Sequence, residues 1–224
     1  MISIVIPTIN EDKNILKTLN KIGSIKEFVN PEIIIVDDQS TDNTLKIARN
    51  FAKKLDLKII QNKKKLGLGY ALSIGFETAK KEFVMFIDAD LSINKKDLIK
   101  LFTSRKKNSI VVGSRYLKNS KILGASKIKV YLSYLLNLII SKIFKLPVVD
   151  ISHSFRIIDK NIKIKTKNFT HPGFFWEFTI NAFKEKKTIC EIPISFYDRK
   201  YGISKNSSLN MLKSVIKSYL NLLK

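Results

Sequence analysis

The stretch Phe83 to Ser92, FVMFIDADLS, constrains this chain more than any other. Phe83 to Ile87 is an apolar run of the length and composition of a buried strand, and it stops at two aspartates one residue apart, Asp88 and Asp90. A strand inside an α/β sheet has no structural use for two carboxylates at its carboxyl end, whereas ligands bind outside the carboxyl ends of parallel strands. Carboxylates at i and i+2 on a strand end that kinks can both turn toward one hard cation, Mg²⁺ or Mn²⁺, that also holds a diphosphate. The same residues also read as caps, Asp88 of a turn and Asp90 of the helix that Lys95 to Lys107 suggests. D-x-D is too short to decide alone.

The chain ahead of this stretch repeats one rhythm. Ile2 to Ile6 reads as a short buried strand ended by Pro7, then Thr8-Ile9-Asn10-Glu11 leads to a helix with Ile15, Leu16, Leu19 and Ile22 at helical spacing. Glu32 to Val36 is a second strand closing on Asp37-Asp38. Ser40, Thr41 and Asp42 are cap candidates for the helix that follows. Lys58 to Asn62 is a third strand, and KKKLGLG leads into a helix from about Tyr70 to Lys80. After the D-x-D strand and its helix, Ser109 to Gly113 is a fifth strand leading to Gly113-Ser114-Arg115-Tyr116. Strands alternating with helices through right-handed crossovers predict an α/β fold with a mostly parallel central sheet and helices on both faces. Asn10-Glu11, Asp37-Asp38 and Asp88/Asp90 then all fall on one edge of that sheet. Capping explains each pair separately; it does not explain why carboxylates gather there.

They gather in a very basic chain. The 224 residues carry a formal net charge of +22, which favours a polyanionic partner: nucleic acid, an anionic membrane surface or a phosphorylated substrate. The lysines are spread over every segment and not clustered with stacking aromatics, so nucleic acid is not the expected partner. One cysteine, Cys190, rules out an intramolecular disulfide and a cysteine-based metal site, from which an intracellular compartment is expected. MISIVIPT enters a strand at once, with no basic n-region and no cleavage site, so no signal peptide is expected.

Gly67 and Gly69 suit a close backbone approach to a phosphate before a helix N-terminus, or an ordinary loop; their spacing matches neither a dinucleotide fingerprint nor a P-loop. Ser126 to Leu146 is the most apolar helix, with Lys129, Ser133, Asn137, Ser141 and Lys145 recurring every four residues as a polar stripe. Its length approaches a bilayer span, but stripe and lysines predict a helix lying on a membrane or on the protein core. A strand from Thr188 to Phe196 with Pro193 inside it predicts an edge or a bulge. In Tyr197 to Lys205, the cations Arg199, Lys200 and Lys205 surround a glycine turn, as a phosphate clamp or as a solvated basic loop. The chain ends in an amphipathic pattern with Leu209, Leu212, Val215, Ile216, Tyr219, Leu220 and Leu223 on one side.

IVIPTINE, IIIVDDQSTDNT, KKLGLGYAL, FIDADLS, VGSRY and EIPISFYDRKYGISK, in this order and spacing, resemble the family 2 glycosyltransferases of GT-A fold, and within them the dolichyl- or polyprenyl-phosphate mannose synthase branch. The resemblance covers nearly the whole chain and implies one domain, with a nucleotide-sugar half over residues 1–116 and an acceptor half over residues 117–224 bearing interfacial helices at 126–146 and 207–224. It implies that Pro7, Thr8, Asn10 and Glu11 border the nucleotide, with Gly67 and Ala89 beside it, and that Asp38, with Asp37, holds base or ribose. Asp88 and Asp90 would hold Mg²⁺ or Mn²⁺ on the donor diphosphate, with Ser92 as a further metal-side ligand. Arg115 would face a lipid phosphate, Arg199 and Lys205 would contact the donor diphosphate or acceptor phosphate, and Lys127 and Lys129 stand where relatives carry an acceptor arginine. Asp90, Arg115, Arg199 and Lys205 are the expected catalytic groups.

The implied activity is inverting, metal-dependent transfer of a hexose, mannose first, from a nucleotide-sugar to a polyprenyl monophosphate. The protein would sit peripherally at the cytoplasmic side of an anionic membrane, with a separate membrane-anchor protein as a possible partner. A soluble sugar or polymer acceptor, or UDP-glucose as donor, is the alternative. An alcohol acceptor would need a carboxylate base, for which Glu177 and Asp150 are the candidates. The family commonly reads D-x-x-S-G-F-R where this chain has Asp150-Ile-Ser-His-Ser-Phe-Arg156, so His153 and Ser154 mark a departure beside the acceptor.

Overall fold

The structure, a computed structural model, describes residues 1–52, 56–90 and 92–198, together with 213, 214, 217, 218 and 220–222. The first five strand–helix steps are β1 (Ile2–Thr8), α1 (Ile15–Gly23), β2 (Glu32–Asp37), α2 (Thr44–Ala52), β3 (Leu57–Gln61), α3 (Leu68–Thr78), β4 (Phe83–Phe86), α4 (Lys95–Thr103) and β5 (Ser109–Ser114). They follow the sequence expectation to within a few residues. Then come β6 (Lys121–Leu123), α5 (Lys127–Ile143), β7 (Arg156–Asp159), α6 (Gly173–Lys184), β8 (Thr188–Pro193) and β9 (Ser195–Tyr197).

Seven strands form one sheet in the order β3-β2-β1-β4-β7-β5-β8, and β6 pairs with β9 in a small second sheet. All neighbours in the large sheet are parallel except β7, which runs antiparallel to both β4 and β5. The result is the mostly parallel GT-A-type sheet expected. No strand is expected here from the sequence, because four residues, RIID, give too short a pattern to register as one. The antiparallel insertion has a functional consequence: the amino end of β7 lies at the same sheet edge as the carboxyl ends of β4 and β5. β8 is the outer strand, which accommodates Pro193 as its last residue.

Strand side chains alternate between two cores. Val5, Ile34, Val36, Val84 and Phe86 pack against α3 and the aromatic face of α6, including Phe174, Phe175 and Trp176. Ile4, Ile6, Ile33, Ile35 and Met85 face α1 and α4. α3 crosses β1 so closely that a Cβ on Gly75 would stand 2.3 Å from Cγ1 of Val5.

α5 is turned the opposite way to an ordinary surface helix. Asn137, Ile140 and Ser141 are its buried residues, whereas Ile128, Tyr131, Leu132, Leu135, Ile139 and Ile143 are exposed. The middle of the polar stripe, Ser133, Asn137 and Ser141, therefore packs inward, its end lysines Lys129 and Lys145 stay exposed, and much of the apolar side faces solvent. In the described part of the C-terminal segment Ser214, Ser218 and Leu222 are buried, and Lys213, Lys217 and Leu220 are exposed. Among the described residues no helix is long and apolar enough to cross a membrane.

Candidate active site

Ladder register gathers the predicted residues along one edge. Thr8 pairs with Asp37, and Phe86 with Val5, which brings Asp88 level with Pro7. The D-x-D segment is held from below: the amide of Ile87 donates to the Val5 carbonyl and the Thr18 hydroxyl donates to the Ala89 carbonyl at 2.5 Å. Ala89 itself is buried in the core, so it serves the site through its backbone placement. The helix α4 is capped by Asn94, which accepts from the Asp97 amide at 2.8 Å, and not by Asp90. Asp90 is thus spared the capping role that competed with metal binding.

Each aspartate is braced by a serine hydroxyl. Ser92 Oγ donates to Asp90 Oδ1 at 2.6 Å, and Ser154 Oγ donates to Asp88 Oδ2 at 2.6 Å. Ser92 here orients Asp90, a different part from the direct metal ligand expected. Among the described residues no group of three or more His, Cys, Asp or Glu side chains forms a metal cluster. Two carboxylates nonetheless fit Mg²⁺ or Mn²⁺, which keep several waters and take one or two protein carboxylates plus substrate phosphate oxygens.

The second-strand aspartates are largely consumed by the fold. Asp37 is fully buried and accepts from Thr8, from the Ser40 amide and from the Ser40 hydroxyl. Asp38 accepts from Asn62 and from the amides of Leu66 and Gly67, at 2.8–2.9 Å. A carboxylate offers about four acceptor positions, so Asp38 keeps little capacity for a base or ribose. The two loop glycines are also occupied. The Gly67 amide serves Asp38, the Gly69 amide donates to the Phe169 carbonyl, and a Cβ on Gly69 would lie 2.5 Å from that carbonyl oxygen. Gly67 has φ +90°, a conformation glycine adopts without strain. Turn and packing requirements therefore account for both, and a phosphate at this loop would have to do without their amides. Asn10 and Glu11 knit the rim to the neighbouring loop, Asn10 Oδ1 accepting from the Thr41 amide and the Glu11 amide donating to Thr44.

Opposite the D-x-D lies a charged pair that sequence reasoning missed. Arg115 donates from Nε and from its own backbone amide to Asp150 Oδ2, both at 2.8 Å, and from Nη2 to Asp150 Oδ1 at 2.7 Å. The Asp150 side chain is fully buried and that of Arg115 is 17% exposed. Burial alone would raise the Asp150 carboxyl, but the Arg115 guanidinium more than offsets this and holds it below the ordinary carboxylate range. An ionised Asp150 in turn keeps Arg115 charged, with its guanidinium 5.0 Å from the Tyr116 ring centre.

The loop from Asp150 to Arg156 ties the site together. Ser152 donates its amide to Asn137 of α5, which also accepts from Trp176. His153 Nδ1 stands 2.7 Å from the Gly113 carbonyl, which can only accept, so Nδ1 carries the proton. Burial, with the Arg115 charge nearby, pushes His153 down to about 3, and the ring is neutral. Arg156 is fully buried and donates to the carbonyls of Ile151 and His153 and to Thr179. Asp150, Ser152, Ser154 and Arg156 alternate in the sequence, but residues 151–152 form a turn and the strand starts only at Arg156, so no local period marked this loop.

Other expectations resolve differently. Glu177 is no candidate base: it is buried and its carboxylate accepts from Thr166, from the amides of Lys167 and Asn168, and from Asn221. Asp150 is likewise committed to Arg115. Lys129 is exposed one turn before Ser133, whose hydroxyl accepts from Tyr116 at 2.8 Å, so it lies on the side of α5 that faces Arg115's neighbour. Arg199, Lys200 and Lys205 fall outside the described residues. Among the described residues, the Tyr197 amide donates to the Ser92 carbonyl at 2.9 Å.

Comparison with known proteins agrees with this geometry. The chain is 35% identical over 122 residues to a dolichol-phosphate mannosyltransferase of Pyrococcus furiosus, covering 54% of this chain and 35% of that protein. It is 37% identical over 99 residues to the poly(ribitol-phosphate) beta-N-acetylglucosaminyltransferase TarS of Staphylococcus aureus, covering 43% of this chain and 17% of that protein. The matched region is thus 35% and 17% of the length of these two relatives. Among solved structures, glucosyl-3-phosphoglycerate synthase from Mycobacterium tuberculosis, in complex with Mg²⁺ and uridine-diphosphate, superposes with a TM-score of 0.71 at 17% identity, over 99% of this chain and 78% of that one. Residues 3–166, well over half of the sequence, match the profile described as Glycosyl transferase family 2, and the chain belongs to that family.

Proposed function

We propose that the protein transfers a hexose from a nucleotide-sugar to a polyprenyl monophosphate at a membrane surface. The observation that carries the lipid acceptor is the inverted helix α5. Its polar residues build the wall beside Arg115, and its outer face presents Ile128, Tyr131, Leu132, Leu135, Ile139 and Ile143 to solvent between Lys127 and Lys145. Apolar area beside lysines suits the boundary between acyl chains and anionic headgroups, each cation near such a surface contributing about 1 kcal/mol. The relative named dolichol-phosphate mannosyltransferase points the same way.

On this reading Asp88 and Asp90 hold Mg²⁺ or Mn²⁺, which when bound neutralises charge on the donor diphosphate. Arg115, fixed by Asp150, receives the acceptor phosphate. A phosphate oxygen, already anionic near neutral pH, attacks the anomeric carbon, and the bond from that carbon to the diphosphate breaks with its electron pair leaving on the diphosphate. Configuration inverts and no general base is required, in keeping with the structural commitments of Glu177 and Asp150. Pro7, Thr8, Asn10 and Glu11 border the nucleotide, Lys129 and Lys205 serve the acceptor, and Arg199 serves the diphosphate. The protein sits peripherally at the cytoplasmic face.

A second reading, UDP-glucose as donor with a soluble acceptor, is favoured by the near-complete superposition on the glucosyl-3-phosphoglycerate synthase solved with uridine-diphosphate. Calorimetry with UDP and GDP, each with and without Mn²⁺, tests the donor side. Metal-dependent binding of one nucleotide, lost in Asp90→Ala, is expected; undiminished binding by Asp90→Ala would overturn the metal assignment.

A further inference from the structure

We infer that Ser154 is a positioning residue for Asp88, setting the affinity of the site for its divalent cation; the inference rests on the metal role proposed above for the D-x-D. In the motif D-x-x-S-G-F-R that the resemblance supplies, Ser154 takes the glycine position. The antiparallel placement of β7 brings it to the end of β4, sixty-six positions along the chain from its partner, with 2.6 Å between Ser154 Oγ and Asp88 Oδ2. That bond fixes the rotation of the Asp88 carboxylate, as the Ser92 hydroxyl fixes that of Asp90.

The loop does not need this hydroxyl to keep its shape. Its path is set by the Gly113 amide donating to the Phe155 carbonyl, by His153 on the Gly113 carbonyl, and by Arg156 on the carbonyls of Ile151 and His153. Ser154 is 6% exposed, too enclosed for water to replace its hydroxyl freely. Outer-shell partners of metal-ligating groups orient the ligand and strengthen it, and their loss costs about 10- to 100-fold in metal affinity. Ser154 would also couple the two substrates, because the loop that braces Asp88 carries Asp150 and through it Arg115.

The test is Mn²⁺ binding followed by the electron paramagnetic resonance signal of free Mn²⁺, with UDP and in parallel GDP, on wild type, Ser154→Ala and Ser154→Thr. Thermal midpoints are read alongside. Ser154→Ala should need about 10- to 100-fold more Mn²⁺ for half-saturation, with its thermal midpoint little changed, and Ser154→Thr, which restores the hydroxyl, should recover most of the loss. Unchanged half-saturation in Ser154→Ala would overturn the inference while leaving the D-x-D reading intact. So would equal losses in both variants, since the hydroxyl would then not be the cause. Wild type taking up no Mn²⁺ with either nucleotide would overturn the D-x-D reading and this inference together.

Discussion

Replacing Arg115 with methionine isolates the charged pair at the centre of the site. The substitution removes two of the three hydrogen bonds that Asp150 accepts from this residue, those from Nε and Nη2 at 2.8 and 2.7 Å, and leaves the backbone amide. Hydrogen bonds to charged groups contribute about 1.5–3 kcal/mol each. The Asp150 side chain, with no exposure of its own, is left as a buried carboxylate without its cation. Breaking a buried pair from one side costs about 3–5 kcal/mol, in agreement with the sum over the two bonds. At about 2–4 °C per kcal/mol for a domain of this size, the thermal midpoint should fall by about 6–20 °C.

The pH dependence gives the stricter test. In wild type the folded carboxyl of Asp150 lies below its unfolded value, so its stabilisation is complete above about pH 4 and is lost as pH falls through the folded pKa. Without Arg115 burial dominates and raises the carboxyl above the unfolded value. The penalty of Arg115→Met should then shrink on going from pH 7 to pH 5, by up to about 1.4 kcal/mol per unit. Urea unfolding of both proteins at pH 5, 6 and 7 measures this. A cost below about 1 kcal/mol at pH 7, or one that grows as pH falls, would refute the reasoning.

Three further outcomes are expected. His153 and His171, held neutral by burial at about 3 and about 4, leave only the unfolded chain to take up their protons below about pH 6.5, so each should lower stability by about 1.5 kcal/mol between pH 6.5 and 5, and His153→Asn should remove about half of that slope in urea unfolding. Gly75→Ala should destabilise by about 1–3 kcal/mol although alanine favours helix, because its Cβ would meet Val5 at 2.3 Å; calorimetric unfolding showing stabilisation would contradict that packing. Leu132→Glu with Ile139→Glu, both exposed on α5, should change stability by less than about 0.5 kcal/mol yet reduce sedimentation with anionic vesicles by tenfold or more; equal sedimentation of variant and wild type would separate α5 from the membrane.

The donor side of this site was legible in the sequence because local pattern carries it. β1 to β5 announce themselves by apolar runs ended by polar residues, and parallel order then brings Thr8, Asp37 and Asp88 to one edge. The acceptor side depends on a contact that no local pattern encodes. β7 is four residues long, and its antiparallel insertion between β4 and β5 decides that Ser154 meets Asp88 and Asp150 meets Arg115. Asp38 and Gly67 show what residue type alone leaves open: both suit ligand contact, and in the structure they bond each other and shape the loop before α3. The stripe on α5 was visible as a period of four, yet periodicity gives a face and not its direction; only packing against Trp176 and Ser152 shows that the polar side is the inner one.

The central claim, transfer to a lipid phosphate at a membrane surface, is tested most directly by a two-phase assay. Purified protein, Mn²⁺, a short polyprenyl phosphate and radiolabelled GDP- or UDP-sugars are incubated and extracted with organic solvent. The account predicts label in the organic phase from one donor, abolished by EDTA and by Asp90→Ala. Donor turnover with all label remaining in the aqueous phase would contradict it, keeping the glycosyltransferase and discarding the lipid acceptor.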